Sequence, residues 1–114
     1  MADVIINLTP HPVALYGSRG TAEGPEEVIP PSGNIARVSH IELGTGVSGR
    51  SGRSFEWVEY GHVDQLPQPQ PETDYIVSLV VALACHRDDL LAPYGEVRNA
   101  EGTVIGCRFL QRVC

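Results

Sequence analysis

Apolar positions in this chain come in short bursts, each cut off by proline, glycine or a polar cluster. Residues 3–8 (DVIINL) form an apolar run of strand length. It stops at Thr9-Pro10-His11-Pro12, where two prolines fix the backbone in an extended form. Residues 13–16 resume as a second strand, 17–25 read as a polar turn, and 26–29 as a short extended piece. Pro30-Pro31-Ser32-Gly33 is a strong turn signal.

Residues 34–43 alternate in part, as a strand with one buried face does, and residues 55–63 (FEWVEYGHV) alternate strictly. The two make a hairpin. Between them residues 44–54 (GTGVSGRSGRS), rich in glycine and serine, read as a flexible loop. Residues 66–72 (LPQPQPE) form a stiff proline-rich crossover. Residues 75–78 are a β-type run. Residues 79–85 (LVVALAC), apolar nearly all round, predict a buried helix with Ser78 as its N-cap. Residues 95–99 and 103–109 make a second hairpin around Asn99-Ala100-Glu101-Gly102. The expected fold class is α+β: one small, mostly antiparallel β domain over residues 1–114, built of short strands and hairpins with one buried helix.

Composition narrows the classes of function. The 114 residues carry eight basic side chains, all arginine, against fourteen acids, for a net charge of −6. That balance disfavours binding to nucleic-acid polymers, which needs a basic face. No run of ~18 apolar residues suits a membrane span, and no secretory signal is visible. Three cysteines without such a signal fit a reducing, cytoplasmic setting. Cys85 and Cys107 sit in apolar contexts and read as buried packing residues, while Cys114 is expected at the surface. Neither CxxC nor HxxxH occurs, so neither metal nor cofactor is expected. Without lysine there is no phosphate-binding P-loop, and no serine stands in a nucleophile elbow. Cys85 and His86 are adjacent, a spacing that keeps thiol and imidazole apart.

The strings INLTPH, PPSG, YIVS and RDDL, with VRNAEGTVIGCRFL near the end, resemble a family of small proteins of bacterial and phage genomes. The resemblance spans most of the chain outside residues 17–25 and 44–54. It brings no established activity with it. By analogy of gene context it implies an inhibitor, a binding protein or a sponge that sequesters a nucleotide-type immune signal.

Several clusters can face a ligand. Asn7, Thr9 and His11 alternate along one extended segment and offer an amide, a hydroxyl and an imidazole; the same residues can instead close a turn through local bonds. Ser32 and Gly33 free backbone amides, and Arg37 follows to grip an anion. Arg87 and Asp88 lie in a charged knuckle, His86 to Asp89, which reads equally as an ion pair and cap. Arg98 stands on the last hairpin, and Ser78 at the helix start. These residues point to a non-enzymatic binding protein for a small anionic or nucleotide-type ligand, its arginines gathered into one pocket. Edge strands exposed by two hairpins favour a homo-oligomer. The alternative is an interaction module that engages a basic partner through Glu23, Glu26, Glu27, Glu42, Glu56 and Glu59. A third reading is a nucleotide-processing enzyme using Arg37 and the knuckle.

Overall fold

The structure, a computed structural model, describes residues 4–113. Eight strands and one helix follow in the order β1 (Val4–Asn7), β2 (Val13–Leu15), β3 (Glu27–Ile29), β4 (Arg37–Val47), β5 (Ser54–Asp64), β6 (Thr73–Ile76), α1 (Leu79–Cys85), β7 (Leu90–Arg98) and β8 (Val104–Gln111). Residue 3, read as the start of the first strand, and Cys114 lie outside the described residues.

Six strands form one sheet in the order β1-β6-β7-β8-β2-β3, and β4 and β5 form a separate two-stranded ribbon. The chain is therefore mostly β. Its long ladders, β4 with β5 and β7 with β8, are antiparallel. Parallel pairs enter the six-stranded sheet at β1–β6, β6–β7 and β2–β8. The sheet curls until its edges nearly meet: Asn7 of β1 bridges Pro31 just beyond β3, and the Ser32 amide donates to the Asn7 carbonyl at 2.9 Å.

Alternation along the strands sorts side chains onto two surfaces. Ile5, Val13, Leu15, Ile29, Ile76, Cys107 and Leu110 gather in one cluster. Ile6, Tyr75, Val77, Leu90 and Ala92 gather in a second, capped by Val81 and Ala82 of α1 and by Val38 and Val63 at the foot of the ribbon. Strands β1 and β6 bury apolar residues on both faces, which is why they read as near-continuous apolar runs. Gly106 lets β2 and β8 approach each other: a Cβ there would lie 2.6 Å from the Ala14 carbonyl and from the Tyr16 ring.

Two expectations fail. Helix α1 is capped as expected, with Ser78 accepting from the Val81 amide, but only Val81 and Ala82 are buried. Leu79, Val80 and Leu83 remain open, because the helix has a sheet on one side and nothing on the other. The loop expected over 44–54 is shorter, confined to residues 48–53. β4 runs on to Val47 and β5 begins at Ser54; the tip between them is held by Ser48 N–H to the Arg53 carbonyl at 2.8 Å and Gly52 N–H to the Ser48 carbonyl at 2.9 Å. Gly44 and Gly46 stand opposite Trp57 and Phe55. A Cβ at Gly46 would meet the Phe55 ring at 2.6 Å, so the bare backbone is the seat of the ring and not a sign of slack.

The closure of the sheet rests on Asn7, which is 1% exposed. Its Nδ2 donates to the carbonyls of His11 at 2.8 Å and Ile29 at 3.1 Å. Its Oδ1 accepts from Thr9 N–H at 2.9 Å and Thr9 Oγ1 at 2.6 Å. Truncation strands these partners, and each buried polar group left alone costs about 1–3 kcal/mol. Asn7→Ala is expected to lose roughly 3 kcal/mol and to melt more than ~10 °C lower by calorimetry. Thr9→Val, which leaves both amide donors of Asn7 satisfied, is expected to lose clearly less.

Candidate functional site

A cleft of about 500 Å³ opens on the sheet. Thr9 and His11–Ala14, with Ser78 at the start of α1, make one wall; Pro93–Glu96 of β7 and Val104–Cys107 of β8 make the other. Local sequence builds both. Pro10 and Pro12 hold the segment after β1 away from the sheet, and the Asn7 amide pins it through the His11 carbonyl. On the opposite wall Gly95 adopts a positive φ of 77°, next to a Tyr94 ring that is 58% exposed. The walls are mainly apolar. Polar groups at the rim are the Thr9 and Ser78 hydroxyls, the His11 imidazole and the Glu96 carboxylate.

Of the residues read from sequence, Thr9, His11 and Ser78 come together here. Asn7 lies behind them, wholly engaged in the closure of the sheet. Ser32 and Gly33 are elsewhere: the Ser32 amide is taken by the Asn7 carbonyl, and its Oγ accepts from Asn34 N–H at 3.3 Å. No guanidinium lines the cleft, and the expected arginine pocket does not form. Arg37 is exposed at the foot of the ribbon, across from Asp64. Arg87 forms a fork with Asp89, Nε to Oδ1 at 2.9 Å and Nη2 to Oδ2 at 2.6 Å, and donates to the Pro67 carbonyl at 2.9 Å. The fork with Asp89 raises its pKa above the ordinary arginine value, against the opposing effect of partial burial. Asp88 is exposed and makes no ion pair among the described residues. Arg98 is bound to Glu96 at 2.6 Å and to the Gly102 carbonyl at 2.6 Å. The knuckle is thus an ion pair and a cap, with His86 in the left-handed conformation that ends α1.

A second hollow of about 340 Å³ holds Arg108 and Glu26. Arg108 already donates to the carbonyls of Gly17 and Arg19, which leaves it a structural clasp. The proposed acidic face also divides. Glu23 contacts Arg19 and Glu27 lies on β3, whereas Glu42, Glu56 and Glu59 are on the ribbon. There Glu59 faces the opposite way from Glu56, as strand alternation requires.

Tyr94, Gly95 and Glu96 were not among the residues read as a site. Their sequence signal is Pro93 and Gly95 inside an otherwise regular strand, the mark of irregular backbone. Among the described residues no three His, Cys, Asp or Glu side chains converge to hold a metal ion, and no helix is long and apolar enough to cross a membrane. Comparison with family models, with curated proteins and with solved structures finds no match.

Cys107 forms part of the cleft floor and is buried. Burial pushes its thiol pKa up, while a backbone hydrogen bond from Tyr94 pulls weakly the other way. The thiol is therefore protonated and unreactive near neutral pH. A raised native pKa stabilises the fold fully below the ordinary thiol value. That stability is lost as pH rises through the ordinary value towards the native one, because the unfolded thiol ionises first. Urea melts at pH 7 and pH 10 are expected to show a larger loss for the wild type than for Cys107→Ala.

Proposed function

We propose that this is a non-enzymatic binding protein that takes a small nucleotide-type ligand by its flat ring in the cleft between residues 9–14 and the β7–β8 hairpin. The observation that carries the reading is the make-up of that cleft: apolar walls, an open Tyr94 ring, and a few hydroxyl, imidazole and carboxylate groups at the rim. Pockets for small organic ligands have this character. Tyr94 offers a face for stacking. The Thr9 oxygen as acceptor, the Ser78 hydroxyl as donor and the Glu96 oxygen not taken by Arg98 suit the donor and acceptor edge of a base. With Arg87 and Arg98 bound to carboxylates, charged parts of the ligand stay in solvent. This replaces the grip on phosphate expected from sequence with recognition of the ring. Retention without turnover also fits the site, since Cys107 is held as a thiol and no side chain among the described residues orients the His11 ring. Such behaviour suits a sponge for a nucleotide-type signal.

Binding to the folded state raises the melting temperature by mass action, worth about 2.7 kcal/mol at a hundredfold excess over Kd. In a thermal-shift panel, a nucleoside and its phosphorylated forms are expected to stabilise the protein by similar amounts, and inorganic pyrophosphate not at all. Tyr94→Ala is expected to abolish the shift and leave the free protein's melting temperature nearly unchanged. A panel with no stabilising member, or stabilisation by pyrophosphate alone, overturns the reading.

A further inference from the structure

The β4–β5 ribbon is the most unusual feature of the molecule. Beyond Val38 and Val63, which pack on α1, every ribbon residue is exposed except Gly46. At ~3.3 Å per residue, the stretch from Val38 to Val47 is an arm about 30 Å long. It accounts for a radius of gyration of 17.0 Å, where a compact chain of this size has about 13 Å. A two-stranded ribbon alone in water is marginal. This one also exposes large apolar groups: Ile41 is 64% open and Trp57 62%. Phe55 and Trp57 meet edge to face at 5.3 Å over the Gly44–Gly46 floor.

We propose that a second copy of this chain covers the arm, the Trp57 faces of two arms packing antiparallel about a two-fold axis. The charge pattern names the occupant. Between Leu43 and Phe55 the only charges are Arg50 and Arg53, while Glu59, which strand alternation puts on the Trp57 face with Ile41, lies further down. Neither Glu59 nor either arginine has an ion-pair partner among the described residues. Two such ribbons laid antiparallel set each basic tip against the other's Glu59, a self-complementary arrangement that a two-fold interface requires. Area agrees: a standard interface takes about 800 Å² from each partner, and a ribbon ~30 Å long with aromatic groups of roughly 150–250 Å² each approaches it. Face packing is favoured over edge pairing because irregularities between Val38 and His40 and between Glu42 and Gly44 interrupt both edges.

Trp57 is the only tryptophan, so its emission reports on the arm directly. Sedimentation equilibrium is expected to give a dimer, with Trp57 emission shifting to the red as dilution separates the copies. Ile41→Glu and, separately, the double change R50E/R53E should each weaken association at least tenfold, with the far-UV circular dichroism of the body retained. Adding E59R to R50E/R53E should restore part of it. A monomeric wild type with solvent-exposed Trp57 overturns the proposal, as does a dimer that none of these changes weakens, or a monomer whose Trp57 is buried only by phospholipid vesicles. The test reads neither Tyr94 nor any nucleotide, so its outcome is separate from that for the cleft.

Discussion

One buried amide organises this fold. Asn7 sits where the first strand of the curled sheet meets the last, and its side chain uses both donors and both acceptor sites on backbone and Thr9. An amide so satisfied in a low-dielectric interior fixes geometry strongly, because the alternative is several unpaired polar groups at once. Through the His11 carbonyl the same side chain sets the path of residues 9–12, which form one wall of the cleft. Closure of the sheet and shape of the site are thus a single structural event. That is why the Asn7-Thr9-His11 cluster reads two ways from sequence: the amide is spent on the fold, and the imidazole beyond it is left to the solvent side.

Electrostatics then decides what the cleft can hold. In a chain with an excess of acid, a guanidinium tends to find a carboxylate or carbonyl within its own fold. Arg87 does so with Asp89, two residues on; Arg98 does so with Glu96, two residues back; Arg108 clasps the loop after β2. These short-range partners are visible in sequence as neighbours, yet the same neighbours support a ligand site equally well until geometry separates the cases. Arg108 has carbonyls but no carboxylate for a partner, and the other arginines with no ion pair among the described residues, Arg37, Arg50 and Arg53, are all on or at the foot of the ribbon.

Strand positions, the capped start of α1 and the NAEG turn were legible because each depends on a period of two or on one or two residues with special backbone needs. Asn99 shows why: its Oδ1 accepts from both Glu101 and Thr103 amides, a local bond that local sequence dictates. The parallel pairings were not legible, since register between Val4–Asn7 and Thr73–Ile76 is set by long-range packing. The glycines of residues 44–52 misled for a definite reason. Spaced by two, Gly44 and Gly46 oppose Trp57 and Phe55, also spaced by two, so the combination marks a strand pair with rings seated on bare backbone. Within the cleft, Thr9, His11 and Ser78 were accessible to sequence reasoning. Tyr94 and Glu96 were not, because β7 brings them there only after pairing with β8.

The parallel pairing of β1 with β6 also shapes how the chain must be made. The first strand has no neighbour close in sequence; its partner lies almost seventy residues downstream and is itself seated against β7. Synthesis on a ribosome therefore releases Val4, Ile5 and Ile6 long before anything exists to receive them. Contacts that distant form slowly, and unsheltered apolar segments are prone to stick to others like them. The nascent N-terminal half thus passes through an interval of vulnerability that ends only when β6 and β7 have left the exit tunnel.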